Sequence, residues 1–365
     1  MARLTKLSCA LTLTILVLYC FVPRGNIVAT DRVLLKRLST VSYTSREVKY
    51  VPSVLEGYIM NNLGSLGYDT QSGVYAEGCR IWREDGEVPS TLKAYTSMLK
   101  NYGDWVDRRG ITDDIRSKLA TAVSTQSACR SLEPPGGLEA IFQKNSLSIS
   151  SSGALEPLLP PMRHPRFCFD GAFLMDLSYL VHDFKTMCLN LTARSKTVFV
   201  DLGASLTFHG AEDQPAFRLI ELYRKFGFHF DHIYAYEKTQ GDVHELYSSI
   251  PEHLQPSYHW INTGVETEYS SKLNPLRMLA EHFTAEDFIV LKLDVDTPSV
   301  EVRLVQQLLE TEELSGLIDQ FYFEHHVLLE ELRGAWGEGV QGSVADSLKL
   351  FHSLRTRGIP AHFWV

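Results

Sequence analysis

Three acidic residues, each at the end of an apolar run, are the part of this sequence best suited to chemistry. They are Asp201, Glu237 and Asp294. The preceding runs are rich in β-branched and aromatic residues, which predicts buried strands. Ligands of open α/β sheets bind at the carboxyl ends of the strands, so we expect all three acids along one edge. Buried carboxylates without partners are costly, and three of them together therefore favour a binding site over packing alone.

The segment after the first acid predicts a turn that faces a ligand. Gly203 would open the turn, Ser205 follows it, and backbone amides there would point at the ligand. Glu237 lies one strand-helix-strand unit later, where an acid accepts hydrogen bonds from ribose hydroxyls. The segment between Ser205 and Pro215 does not match G-x-G-x-x-G, which counts against a pyrophosphate-binding dinucleotide site.

Lys292 interrupts the third apolar run and faces away from its two neighbours. It could pair with one of the strand-end acids, or it could be a solvated or ion-paired side chain with no role in a site. Asp294 is expected to lie beside the reaction centre. The sequence leaves the role of Lys292 open.

Glu324, His325 and His326 end the next predicted strand. Adjacent residues of a strand face opposite sides, so at most one histidine joins a site with Glu324. His325 and His326 are both candidate acid-base residues, because histidine titrates near neutral pH. Histidine and carboxylate side chains also ligate zinc, but we predict a polar role here and no metal site. Trp336 and the glycines after it predict a loop over the same edge.

From residue 167 onward, strands and helices alternate. The predicted strands lie near 197–201, 231–236, 257–262, 288–293, 317–324 and 359–364. The predicted helices lie near 170–189, 214–227, 240–249, 274–283, 298–310 and 343–356. Continuous apolar strands between amphipathic helices predict an α/β fold, with a mostly parallel sheet covered on both faces.

The remainder of the chain divides into three predicted regions. Residues 1–23 form a signal anchor or a signal peptide, because Leu7 to Val22 is apolar and uncharged. Residues 24–50 are a basic stalk, and 51–166 are a helical, loop-rich region that ends in a Pro- and Ser-rich linker or ordered wrap. The chain is therefore expected in the secretory pathway, either on a Golgi or ER membrane with a luminal domain or secreted.

Charge and cysteine content agree with this placement. The net charge of −9 argues against nucleic-acid binding, which needs a basic face. An oxidising lumen would allow disulfides among four cysteines, with three possible pairings. These are Cys79, Cys129, Cys168 and Cys188. One N-glycosylation triplet begins at Asn190. The sequence does not predict an oligomeric state.

The strand-end motifs resemble those of a known family. Asp201-Leu-Gly-Ala-Ser205, Tyr234-Ala-Tyr-Glu237 and Val290-Leu-Lys-Leu-Asp-Val-Asp296 are similar to successive motifs of FkbM-type S-adenosylmethionine-dependent methyltransferases. The resemblance covers about residues 195–325. It implies a class I methyltransferase-like (Rossmann-like) fold, an S-adenosyl-L-methionine cofactor and O-methylation of a sugar or small metabolite. It also implies that the turn faces the methionine part, that Glu237 holds the ribose and that Asp294 faces the reaction centre.

This sequence departs from the family pattern at two points. Lys238 stands where the family has a proline, and Asp296-Thr-Pro-Ser299 replaces the usual Glu-Gly. Two other functions therefore stay open. Asp294-Val295-Asp296 fits a D-x-D motif that holds Mn²⁺ and a nucleotide-sugar in a luminal type II glycosyltransferase. A non-catalytic protein could also retain the fold, since fold alone does not establish activity.

Overall fold

The computed structural model describes residues 48–70, 78–83, 90–136, 140–144, 152–205, 214–337 and 340–365. All of these residues belong to one compact unit. The predicted anchor segment lies outside the described residues. Among the described residues, no helix is long and apolar enough to cross a membrane.

A six-stranded sheet organises the C-terminal part of this unit. Its strands are β4 (Thr197–Leu202), β5 (His232–Tyr236), β6 (Tyr258–Ile261), β7 (Phe288–Leu293), β8 (Gln320–Phe323) and β9 (Ala361–Phe363). Their order is β6-β5-β4-β7-β8-β9, and every pairing is parallel. All six predicted strands form. Because strand order reverses between β4 and β7, right-handed crossovers place helices on both faces, and the predicted α/β fold is confirmed.

The helices that cover this sheet follow the predicted alternation. They are α6 (Phe184–Leu189), α7 (Pro215–Lys225), α8 (Val243–Ser249), α9 (Pro275–His282), α10 (Pro298–Glu310), α11 (Glu312–Ser315), α12 (Arg333–Trp336) and α13 (Val344–Thr356). Proline at the first position of α7, α9 and α10 starts each helix, because a first-turn amide needs no intrahelical partner. β4 and β7 are fully buried, as central strands of a doubly covered sheet should be.

The predicted helix over 170–189 is wrong for most of its length, and only Phe184–Leu189 is α-helical. Three aspartates explain the interruption, because each accepts a hydrogen bond from a nearby backbone amide. Asp170 accepts from Ala172, Asp176 accepts from Ser178, and Asp183 accepts from Thr186. Such local bonds compete with a continuous helix.

The N-terminal region packs a small sheet and five helices against this framework. Strands β1 (Val48–Val51), β2 (Ala140–Lys144) and β3 (Ser152–Leu155) form an antiparallel sheet in that order. The helices are α1 (Val54–Asn61), α2 (Arg80–Arg83), α3 (Ser90–Asp107), α4 (Ile115–Thr121) and α5 (Thr125–Cys129). Residues 48–50 of the predicted stalk therefore belong to a strand.

The Pro- and Ser-rich segment is an ordered wrap and not a loose linker. Residues 155–165 are all buried. Disulfides Cys79–Cys168 and Cys129–Cys188 join the N-terminal region to the start of the sheet domain. Each disulfide thus joins one cysteine before the predicted boundary at residue 167 to one after it. The structure thereby selects one of the three possible pairings.

A buried polar network fastens the same two parts together. Arg355 of α13 donates to the Tyr50 hydroxyl at 3.0 Å and to the Glu156 carboxylate at 3.1 Å. Tyr50 in turn donates to Glu56 at 2.5 Å, and His362 of β9 lies 2.9 Å from Glu156. Burial would raise the pKa of Glu156, but His362 and Arg355 outweigh it and hold that pKa below its usual value.

Removing the guanidinium should therefore strongly destabilise the fold. We expect Arg355→Met to lower the free energy of unfolding by about 3–5 kcal/mol, because Glu156 would stay buried without the guanidinium that pairs with it. Urea unfolding followed by fluorescence measures this. Arg357→Met, two residues away and exposed, is the matched control and should change stability by less than about 0.5 kcal/mol. Equal effects of the two variants would contradict the network's role.

Candidate functional site

A buried lysine holds together the carboxyl edge of the two central strands. Lys292 pairs with Asp201 across the β4–β7 register, and its Nζ lies 3.0 Å from Asp201 Oδ1 and 3.3 Å from Asp294 Oδ2. The same Nζ donates to the Gly203 carbonyl at 2.9 Å. One cation thus joins two of the predicted acids and the predicted turn.

Charge balance explains why a lysine is tolerated there. Burial alone would lower the pKa of Lys292, but Asp201 and Asp294 outweigh burial and raise that pKa above its usual value. The ammonium therefore stays charged and compensates two carboxylates in a site where unpaired charges are costly. The sequence left two interpretations of Lys292 open. The structure agrees with the first, pairing with strand-end acids, and the partners are two of the predicted site acids.

The turn at Gly203 is built for close backbone packing. Gly203 has φ +89°, and a Cβ placed on it would lie 1.6 Å from the carbonyl oxygen of Asp294. Only glycine lets the β4 turn lie against the end of β7. The amides of Gly203 and Ala204 both donate to the Tyr236 carbonyl at 3.0 Å. The expectation that these two amides face a ligand is therefore wrong, because they join the turn to the end of β5.

Those bonds place the turn beside Glu237. Glu237 follows Tyr236 directly and is partly exposed, and its Oε1 accepts from the Thr239 amide at 2.5 Å. The Glu237 carbonyl accepts from the Asn262 side chain at 2.8 Å. Ser205 ends the described part of the turn, and its carbonyl accepts from the Gln214 side chain. Residues 206–213 lie outside the described part of the chain.

Asp294 and Glu324 form a coupled pair of carboxyl groups at the ends of neighbouring strands β7 and β8. Each of these two groups shifts the pKa of the other. Burial raises the pKa of Asp294 well above its usual value; Lys292 opposes this shift and Glu324 adds to it. Burial would raise the pKa of Glu324 as well, but Arg163 and Asp294 lower it. Asp294 is therefore the weaker acid of the pair.

Two residues far away in sequence position Glu324. Arg163, from the ordered wrap, contacts Glu324 Oε1 at 2.5 Å. Trp336 of α12 donates to the same oxygen at 3.0 Å. The arginine also lies over the Trp336 ring, 5.4 Å from its centroid. Trp336 thus lies at the predicted edge, but it ends helix α12 and does not belong to the predicted loop.

His326 lies on the same side as Glu324 and is buried among carboxylates. Its Nδ1 lies 3.2 Å from Glu301 Oε2, and its Nε2 lies 3.4 Å from Asp296 Oδ1 and 3.5 Å from Glu324 Oε2. Burial would lower the pKa of His326, but Asp296, Glu301 and Glu324 raise it to about 10. The imidazole is therefore protonated at neutral pH in this geometry, and the expectation of a neutral histidine base does not apply to it.

His325 points away from the site. Its Nδ1 lies 3.1 Å from the Ser347 hydroxyl of α13, and its ring stacks on Phe323. Burial lowers the pKa of His325 to about 4. The structure therefore does not bring His325 to the carboxyl edge, and the prediction that His325 is a catalytic residue is wrong.

Asp296, Glu324 and His326 each offer one ligand atom, and these atoms lie within 4.8 Å of one another. The sequence suggested a metal only in the alternative D-x-D interpretation of Asp294 and Asp296, and it did not predict that Asp296 groups with Glu324 and His326. The two aspartates of the D-x-D segment have different partners, since Asp294 contacts Lys292 and Asp296 contacts His326.

Comparison with known proteins does not name a relative. No family model, no curated protein and no solved structure matches this chain.

The turn at Gly203 yields a direct test of this geometry. We expect Gly203→Ala to cost about 1–3 kcal/mol of stability, because the new methyl group must displace the end of β7. Gly241→Ala is the control, because Gly241 has open space around its Cβ position. Thermal and urea unfolding of both variants measure the difference. A Gly203→Ala protein as stable as the Gly241→Ala protein would mean that β4 and β7 do not approach as described.

Proposed function

We propose that this protein binds S-adenosyl-L-methionine at the carboxyl edge of β4, β5 and β7 and transfers its methyl group to a hydroxyl of a sugar or small metabolite. The observation that carries the proposal is the junction of the Gly203 turn with the end of β5. Hydrogen bonds from Gly203 and Ala204 to Tyr236 place Glu237 immediately beside the turn. This junction lies next to the reversal of strand order between β4 and β7, and α/β sheets bind nucleoside cofactors at such a reversal.

Each predicted residue then has a role that fits its position. Glu237 is partly exposed and would accept hydrogen bonds from the ribose hydroxyls. The turn after Gly203 would face the methionine part through residues beyond the two amides already bonded to Tyr236. Asp294, held at 3.3 Å from Lys292, would lie beside the methyl group. Asp201 would act through Lys292, as a positioning residue.

The coupled carboxyl pair suits removal of the acceptor's proton. A raised pKa makes Asp294 a stronger base than an ordinary aspartate. The proton belongs to the Asp294–Glu324 pair as a unit, since strongly interacting groups titrate together. The acidic surroundings and the net charge of −9 favour an uncharged polyhydroxy acceptor over a nucleic acid.

The compartment remains part of the proposal. Two disulfides fit an oxidising lumen, and an apolar N-terminal segment would bring the chain to a membrane of the secretory pathway or direct its secretion.

A metal-dependent glycosyltransferase is the second candidate, and Asp296 favours it because this residue belongs to the cluster that could hold a cation. That function leaves the Gly203 turn and Glu237 without a role. It also expects Asp294 to share the ion with Asp296, whereas Asp294 is paired with Lys292. Methyl transfer gives a role to more of the residues at the carboxyl edge.

Calorimetry of the full chain with S-adenosylmethionine tests the proposal, and Glu237 provides its sharpest variant. We expect Glu237→Ala to weaken binding at least about tenfold, because each charge-assisted hydrogen bond to the ribose contributes about 1.5–3 kcal/mol. Glu252→Ala, an exposed acid in the loop after α8, should bind like the wild type.

Thermal unfolding of both variants shows whether the fold is intact. Unchanged affinity in a folded Glu237→Ala protein would remove the ribose assignment. Binding of a UDP-sugar with Mn²⁺ in place of S-adenosylmethionine would support the glycosyltransferase.

A further inference from the structure

We propose that Asp296, Glu324 and His326 form a binding site for one divalent transition-metal ion, of the Mn²⁺ or Zn²⁺ class, at the acceptor side of the carboxyl edge. The ligand atoms would be Asp296 Oδ1, Glu324 Oε2 and His326 Nε2. A role of the ion in catalysis rests on the proposed methyl transfer. The existence of the ion-binding site does not depend on that proposal.

The first support is a buried nitrogen that lacks a hydrogen bond. His326 is only 4% exposed, and its Nε2 is fully buried with no hydrogen-bond partner among the described residues. That atom faces carboxylate oxygens of Asp296 and Glu324 at 3.4 and 3.5 Å. Both distances are long for a hydrogen bond. A buried polar atom normally has a partner, so this one points to a ligand between the three side chains.

Two of the three separations between the ligand atoms fit a metal ion, and all three atoms lie within 4.8 Å of one another. Two ligand atoms that each lie about 2.1 Å from an ion are separated by roughly 3.0 Å at a right angle and roughly 3.4 Å at a tetrahedral angle. The distances from His326 Nε2 to the two carboxylate oxygens, 3.4 and 3.5 Å, lie close to the tetrahedral value. Small side-chain rotations would therefore complete the coordination.

Neighbouring residues orient two of the ligands. Glu301, completely buried, lies 3.2 Å from His326 Nδ1, and its other oxygen accepts from the Val295 amide at 3.1 Å. A carboxylate on the far nitrogen of a histidine is the usual arrangement behind a metal-binding imidazole. Arg163 and Trp336 both contact Glu324 Oε1, which leaves Oε2 directed towards His326.

The third ligand keeps one side of the site open. Asp296 has φ +49°, a backbone conformation that side-chain-bearing residues adopt rarely, and its side chain is 87% exposed. Three protein ligands with an accessible side leave coordination positions for water or a substrate oxygen, as in catalytic metal sites. One imidazole with two carboxylates suits Mn²⁺ or Zn²⁺.

In methyl transfer, the ion would bind the acceptor hydroxyl and lower its pKa. The hydroxyl proton would pass to the Asp294 carboxylate, which must be ionised at that stage, and the oxygen would attack the sulfonium methyl carbon. The O–CH₃ bond forms while the S–CH₃ bond breaks, its electron pair returns to sulfur, and S-adenosylhomocysteine leaves. The ion does not change its oxidation state.

The test is Mn²⁺ binding to the full chain after EDTA treatment and dialysis, followed by electron paramagnetic resonance of free Mn²⁺. We expect the wild type to bind one ion, and Asp296→Asn and His326→Gln to bind it at least about tenfold more weakly. The exposure of Asp296 makes Asp296→Asn the variant least able to disturb folding. His325→Gln is the matched control, because this neighbouring histidine faces α13, and it should bind Mn²⁺ like the wild type.

Two results would overturn the site. One is a wild type that binds no Mn²⁺, and the other is undiminished binding in both Asp296→Asn and His326→Gln. S-adenosylmethionine affinity measured in the same EDTA-treated protein separates the two proposals. Cofactor binding without an Mn²⁺ site would reject only the metal inference. An Mn²⁺ site without cofactor binding would support the metal inference and reject methyl transfer.

Discussion

The ion pairs of Lys292 are the constraint on which the candidate site depends. A lysine near the end of a buried strand is stable only with negative partners, and Asp201 and Asp294 supply them from the two strand ends at which the sheet order reverses. The same ammonium holds the Gly203 carbonyl, so the turn packs directly on the end of β7. One buried charge thus fixes the turn and the proposed cofactor site and reaction centre beside it.

The N-terminal region completes this domain. Arg163 reaches Glu324 from the ordered wrap, and Arg355 receives partners from β1 and from the segment after β3. Both arginines compensate buried carboxylates, which explains why the wrap is buried although its composition is that of a linker. The acidic cluster around His326 continues this arrangement at the sheet edge, with Glu301 behind the imidazole and Asp296 in front of it.

The sequence predicted those features that depend on local patterns of apolar and polar residues. Apolar runs and the geometry of parallel sheets were enough to place Asp201, Glu237 and Asp294 on one edge. Side chains of a strand alternate between its two sides. This alternation also predicted that His326, two residues after Glu324, lies on the same side as Glu324, whereas His325 lies on the other. Arg163 and Glu324 are 161 residues apart, and no local pattern marks such a contact. The metal-type cluster was missed because its ligands come from two different loops.

A crystal structure of the full chain with S-adenosylhomocysteine tests the central claim most directly, namely that the edge organised by Lys292 is a cofactor site. The account predicts ribose hydroxyls within hydrogen-bonding distance of the Glu237 carboxylate. It also predicts the homocysteine part along the turn after Gly203 and the sulfur atom beside Asp294, with the Lys292 ion pairs intact. A nucleoside bound at any other part of the sheet, or one that displaces Lys292 from Asp201, would contradict it.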